Sequence, residues 1–344
     1  MTAHPDRTVD WPRVALHVVT GKGGTGKSTV AAALALALAS SGRNVLLCEV
    51  EGRQGIARMF DVDPLPYEER RISKGAPDAS GRAGQVHALH IDPESALLEY
   101  LAMYYRLGRA GKALDRFGVI DFATTVAPGV RDVLLTGKVY EAVQRPRRPE
   151  KGRNTGVLTY DAVVLDAPPT GRISQFLGVN SEVAGLAKVG PVKTQADKVM
   201  ELLRSPRTAV HLVTILEEMP VQETSDGIAE LRAAGLPVGG VVVNLVRPQA
   251  LSAGALAQVR DDAVDPTAVI SDLKRANVDV DAELVRSLVE EAHDHAVRRR
   301  LEDGQRELVL AEGVPTYELP RLASGIDRGA LVELAQVLRN QGMA

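Results

Sequence analysis

One cysteine, Cys48, is all the thiol that this 344-residue chain carries. A lone cysteine excludes an intrachain disulfide framework and points to a reducing compartment. It also excludes a soft-metal or iron–sulfur site built from several thiolates of this chain. Aromatics are scarce as well: one Trp, seven Tyr and four Phe. None is interleaved in the basic run from Arg145 to Arg153. That run sits among Pro and Gly, so it reads as a solvated loop and not as a nucleic-acid platform. The net charge of −3 gives no whole-chain attraction to nucleic acid or to an acidic membrane surface. Long apolar runs are missing too. The longest, which opens at Val30, falls short of the ~20 residues of a spanning helix, so no integral membrane segment is expected. Met1 to Pro12 has no apolar h-region and reads as a flexible tail, 1–12. A cytoplasmic location follows from these absences.

The chain is organised around Gly21-Lys22-Gly23-Gly24-Thr25-Gly26-Lys27-Ser28-Thr29. A short β-branched run, Val14 to Val19, precedes it, and an Ala/Leu-rich run without Gly or Pro, Val30 to Ala39, follows it. Strand, loop and helix in that order are the context that gives G-x-x-x-x-G-K-[ST] its meaning. Glycines let the backbone close on phosphates, and N–H groups at a helix start favour an anion. Lys27 is then placed to reach the outer phosphates and the Ser28 hydroxyl to ligate Mg²⁺, so a nucleoside triphosphate and Mg²⁺ are the expected cofactors.

Asn44 to Val50 reads as the second strand of a βαβ unit, which implies a parallel sheet. Glu49-Val50-Glu51 lies where that strand ends, at the edge where open α/β sheets place ligands. Glu51 is read as the residue that orients the attacking water, with Glu49 next in line. The competing reading is a surface carboxylate paired with Arg53 or Arg58, worth ~0–1 kcal/mol. Pro64 to Gln85 reads as a mobile break. Val86 to Ile91 resumes as a strand, and Asp92-Pro93 opens a helix with Asp92 as its cap. Asp161 to Asp166 is a core strand whose last acid supplies the second half of the metal site. After it, prolines stiffen the connection, and Gly171 can bring a backbone N–H close to the γ-phosphate. Further strands are read over Thr208–Leu216, Val238–Val243 and Thr316–Pro320. Arg247–Gly313 is read as helical, and Ala330–Leu338 as the closing helix.

Three stretches carry a family resemblance. The loop K-G-G-T-G-K-S, with its second lysine at Lys22, resembles the deviant phosphate loop of ATPases that place division sites, partition plasmids, pump arsenite or target tail-anchored proteins. Asp166 to Leu177 resembles the D-T-A-P-T-G-H-x-x-R-x-L switch of the arsenite-pump and tail-anchor-targeting (anion-transporting) ATPase family, with Ala167-Pro168 for Thr-Ala and Arg172 for His. Glu217 to Thr224 resembles that family's P-E-x-x-x-x-x-E-T helix start. The chain is identified on these motifs as a bacterial, single-domain member of actinobacterial type.

The resemblance implies an α/β fold, a P-loop NTPase with a mostly parallel central sheet flanked by helices. One ATPase domain, 13–344, would carry helical insertions at about 92–156 and 247–313. It implies that Lys22 crosses a dimer interface to the partner's nucleotide, the competing reading being a solvent-facing lysine. It places Asn244 against adenine, the competing reading being a turn-former, and the loop at Pro320 beside the base. The partner would be a second copy or a related ATPase chain. The function implied is a dimeric switch whose helical part handles a client protein, possibly a membrane protein. The alternative is a positioning or partitioning ATPase acting on a membrane or DNA. Aromatics and leucines from Leu97 to Phe122 (Tyr100, Tyr104, Tyr105 and Phe117 among them) are the candidate client groove, or else plain helical core.

Overall fold

A computed structural model describes residues 9–50, 54–77, 81, 83–105, 128–147, 157–186, 191–261, 263–323 and 325–344. Eight strands form one sheet: β1 Leu16–Gly21, β2 Asn44–Glu49, β3 Arg70–Lys74, β4 Gln85–His90, β5 Ala162–Asp166, β6 Thr208–Thr214, β7 Val238–Val246 and β8 Thr316–Pro320. Their order is β3-β4-β2-β5-β1-β6-β7-β8. Every neighbouring pair is parallel except β3 with β4. This is the expected mostly parallel α/β sheet. Its central strands are buried from end to end in β1, β5 and β6, as parallel strands covered on both faces must be.

One face carries α1 (Lys27–Ser40) and α11 (Arg328–Asn340). α1 is buried at every position from Val30 to Ser40, because it lies between the sheet and Leu331, Leu334 and Leu338 of α11. A helix hydrophobic all round has no other stable place. The opposite face carries α4 (Pro128–Gln144), α5 (Thr170–Leu186), α6 (Pro191–Leu203) and α7 (Glu218–Ala233). Leu135, Val139, Ile173, Phe176, Val199 and Ile228 from these helices pack on Leu16, Val18, Leu165 and Leu212 of the sheet. The remaining helices are α2 (Gly55–Met59), α3 (Pro93–Tyr105), α8 (Ala253–Arg260), α9 (Pro266–Arg275) and α10 (Ala282–Ala311). Asp92 caps α3, accepting the Ser95 N–H at 2.8 Å.

β3 corrects the reading of Pro64–Gln85 as a structureless break. Its sequence, Arg-Arg-Ile-Ser-Lys, lacks the apolar alternation of a strand, yet Ile72 and Ser73 are buried and it pairs at the sheet edge. Edge strands are kept charged to block pairing with other chains, and that hides them from a search for apolar pattern. The loop before β3 is tied down too. Arg145, at the end of α4, forks between Glu141 at 2.6 Å and Glu69 at 2.7 Å, and Tyr160 donates to Glu69 at 2.6 Å. Lys138 of α4 adds a bridge to Glu99 of α3 at 2.7 Å. The first residue of the basic run is therefore committed within the chain. The candidate groove residues Tyr100, Tyr104, Tyr105, Phe117 and Phe122 fall on side chains outside the described set.

Candidate nucleotide site

The site forms where β1, at the centre of the sheet, hands its chain to α1. Helices reached from β1 and from its two neighbours leave on opposite faces, so a crevice opens at the carboxyl ends of the strands. Gly21 has φ +156° and faces the Val213 carbonyl so closely that a Cβ would collide with it. Gly26, at φ +89°, is the N-cap of α1, and a Cβ there would strike the Asn244 amide. Only glycine fits either place. Thr25 fixes the loop from within, its Oγ1 donating to the Lys22 carbonyl at 2.8 Å. Lys27, Ser28 and Thr29 form the first turn of α1, their backbone donors at the positive end of the helix. Gly23 and Gly24 are exposed at the loop's outer edge.

Ser28 and Asp166, read separately as the two halves of a metal site, are in contact: the Ser28 hydroxyl donates to Asp166 Oδ2 at 2.5 Å. A hydroxyl and a carboxylate side by side are oxygen donors of the kind that Mg²⁺ takes. The segment after Asp166 is held at its root. Thr20 Oγ1 donates to the Pro168 carbonyl at 2.7 Å, and the Ala167 N–H bonds the Val19 carbonyl at 2.9 Å. Thr170 then starts α5, and Gly171 in its first turn is exposed. Thr170 itself is buried, with an Oγ1 that makes no hydrogen bond among the described residues. Arg172, where the family motif has His, lies 3.6 Å from Asp132 of α4. Burial raises the Asp132 carboxyl pKa, and the Arg172 charge opposes that shift.

Lys22 does not project freely. Its Nζ stands 2.7 Å from Glu223 Oε1, on α7 of the same chain, with both side chains about one-third exposed. Asn244 lies within β7, not at a turn, and its side chain is buried. Its Nδ2 donates to the Thr25 carbonyl at 2.9 Å, across 219 residues of sequence. It is thereby locked to the phosphate loop and not to its own backbone. Pro320 closes β8 beside Val246, on the same carboxyl edge. Glu51 lies outside the described residues. Glu49 is buried at the end of β2, and its Oε1 accepts the Gly55 N–H at 2.8 Å. Burial pushes the Glu49 carboxyl up, and the Gly55 N–H pulls it back.

Sequence reasoning gave no role to Glu223, Asp132 or Thr170. Glu223 and Thr170 stood inside quoted motifs, which was their only signal. Asp132 is recognisable by burial and contact alone.

Comparison with known proteins agrees with this geometry. The family model described as "Anion-transporting ATPase" matches residues 14–204, which include the phosphate loop and the switch. The chain is 49% identical to the ATPase BagA of Mycobacterium tuberculosis H37Rv, over 99% of this chain and 98% of that protein. It is 27% identical to an arsenical pump-driving ATPase of Escherichia coli, over 75% of this chain and 45% of that one. It is 24% identical to the ATPase GET3 of Kluyveromyces lactis, over 66% and 70%. Among the described residues no helix is long and apolar enough to cross a membrane. The phosphate loop, the Ser28–Asp166 pair and the start of α5 meet on one sheet edge, and by its sequence the chain belongs to the anion-transporting ATPase family and is an ATPase.

Proposed function

We propose that the protein is an ATP-hydrolysing dimeric switch whose nucleotide state is passed to the helical layer, where a client or partner protein is handled. The observation that carries this is the route of the chain after Asp166. From the residue bonded to Ser28 it runs through Pro168, pinned by Thr20, into α5. The first turns of α5 touch α4 through Arg172–Asp132 and through Ile173 and Phe176 in the shared core. A displacement at the phosphate edge therefore meets α4 within two turns of helix. Packed helices shift as units, which is how such a contact turns into movement.

The roles follow from position. The phosphate-loop N–H groups and Lys27 bind and orient the triphosphate. Ser28 and Asp166 would hold Mg²⁺, which supplies charge neutralisation at the phosphates when bound. Glu51 orients the attacking water. Gly171 offers its N–H to the γ-phosphate, while Asn244 and the loop at Pro320 border the base. Lys22 leaves Glu223 for the nucleotide of a partner subunit, either a second copy or a related chain. The cytoplasm is the compartment proposed.

Light scattering with and without ATP, on wild type and on Asp166→Asn, tests this reading. ATP should convert monomer to dimer and protect α4 amides from exchange, and the variant should hold the dimer by slowing hydrolysis. A chain that hydrolyses ATP at full rate as a monomer, with unchanged α4 exchange, would overturn it.

A further inference from the structure

Glu49 is 2% exposed, and only one of its two oxygens is accounted for. Oε1 takes the Gly55 N–H. Oε2 makes no hydrogen bond among the described residues. The imidazole Nδ1 of His90 stands 3.8 Å from it, too far for a hydrogen bond, and also makes none. Burying a carboxylate costs several kcal/mol unless hydrogen bonds meet its lone pairs. A residue needed only to hold Gly55 could do so through a neutral amide.

The sheet register says what this oxygen faces. His90, Glu49 and Asp166 are aligned partners on β4, β2 and β5. They continue the alternate series Val86-Ala88, Val45-Leu47 and Ala162-Val164, all of which pack on the α1 side of the sheet. The three polar residues therefore form one row on that side, at the carboxyl edge where α1 begins. Adjacent strands are about 4.8 Å apart, so Glu49 is one such spacing from the aspartate that holds Ser28. Among the described residues no three or more His, Cys, Asp or Glu side chains could hold a metal by themselves. That suits an ion which arrives on phosphates and keeps several of its waters.

We propose that Glu49 is a positioning residue for the nucleotide-bound Mg²⁺: its Oε2 accepts a hydrogen bond from a water of the ion's shell, while Oε1 stays on Gly55. The inference rests on the Mg²⁺–nucleotide reading above and adds to it a residue from the next strand. Partners that hold a metal's ligands from outside typically change metal affinity by about 10–100-fold when removed.

Glu49→Gln is the test, because the amide carbonyl can still accept the Gly55 N–H while the charge is lost. ADP affinity is titrated calorimetrically in EDTA and again across Mg²⁺ concentrations, so that no turnover is involved. Expected is metal-free ADP binding within about twofold of wild type, with a Mg²⁺ requirement raised about 10–100-fold. An unchanged Mg²⁺ requirement would leave Glu49 as the anchor of Gly55 only and overturn the proposal. Should the glutamine variant not fold, Glu49→Asp, which draws the charged oxygen back by one methylene, is read by the same titration in the same two ways. Wild-type protein whose ADP affinity gains nothing from Mg²⁺ would defeat the metal reading itself. A wild-type gain matched by the variant would defeat only the part given to Glu49.

Discussion

Buried polar groups lie at both ends of the central strands, and they are paired to different degrees. Near the start of β1, His17 Nδ1 lies 3.0 Å from His211 Nε2, and the Gly240 N–H donates to His211 Nδ1 at 3.1 Å. An N–H donor fixes Nδ1 of His211 as the acceptor, so its Nε2 carries the proton and donates to His17. Beside them Trp11 meets the His211 ring edge-on at 5.3 Å. Trp11 donates to the Tyr317 hydroxyl at 2.9 Å, which donates in turn to Asp10 at 2.6 Å. The last residues of the stretch read as a tail, Asp10 and Trp11, are thus docked, and Asp10 N–H also bonds the Gly342 carbonyl at 2.9 Å. The chain of donors and acceptors runs from Gly240 through the two rings and from Trp11 to Asp10, and only His17 Nε2 is left over among its ring and hydroxyl groups. At the carboxyl edge, Glu49 Oε2 at the end of β2 and Thr170 Oγ1 at the start of α5 are each buried without hydrogen bonds among the described residues. Polar groups that bond one another hold the fold, whereas buried oxygens left over at the edge where ligands bind suit a group that binds there.

Substitutions at the two ends should therefore fail in different assays. The largest effect belongs to Lys27→Ala, which should abolish ATP binding, measured with a fluorescent nucleotide, and leave the melting temperature of nucleotide-free protein within a few degrees. Binding at wild-type affinity would remove the phosphate loop from the site. Lys22→Ala comes next. A cation supplied to a transferring phosphoryl group is worth roughly 10³-fold or more in turnover. The variant should keep nucleotide affinity and lose hydrolysis by about that factor, and a mixture with Lys27→Ala shows whether the lysine acts across the interface. Full turnover by an isolated Lys22→Ala monomer would make the Glu223 pair its whole role.

How much of this was legible in the residues depends on how local each feature is. The phosphate loop could be read because phosphate geometry fixes Gly, Lys and Ser at set spacings within nine residues. The parallel sheet could be read because buried strands are continuous apolar runs. β3 could not, since an edge strand is selected for charge. The Asn244–Thr25 and Lys22–Glu223 contacts join segments some 200 residues apart. Their partners follow from the strand order, which places β6 beside β1 and β7 beside β6, and no periodicity reports that order. Glu49 is marked by its burial and by its place in the row with Asp166, neither of which a local motif displays.

The histidine pair gives the third effect. Burial holds His211 at about 3, against an ordinary value of 6.5, and lowers His17 as well, with His211 and Arg43 adding to the shift. Below pH 6.5 the unfolded chain takes up these protons and the folded chain does not. Stability is therefore fully present above that pH and is lost as pH falls toward 3, by about 1.4 kcal/mol per unit for each such histidine. His211→Asn can keep an acceptor for Gly240 while removing the titration. Its denaturant midpoint should fall less steeply than that of wild type between pH 6.5 and 5, with ATP turnover unchanged at pH 7.5. Equal slopes would place the acid sensitivity elsewhere.

Tyr317→Phe should give the smallest effect and the sharpest contrast. The ring is 2% exposed and packs in the α1-side core, so phenylalanine fills the same space and only the hydroxyl is lost. Trp11 Nε1 then loses its acceptor and Asp10 its donor, both in a half-buried setting. A net hydrogen bond is worth about 0.5–1.5 kcal/mol, and an N–H left unpaired adds to the loss. About 1–2 kcal/mol is expected, which moves the melting temperature by a few degrees in a domain of this size. Nucleotide affinity and turnover should not move, because Tyr317 is on the edge strand β8, three strands from β1. A fall in turnover without a fall in stability would mean that the hydrogen-bonded cluster reports to the nucleotide edge after all, and the division between the histidine cluster and the carboxyl edge would be lost.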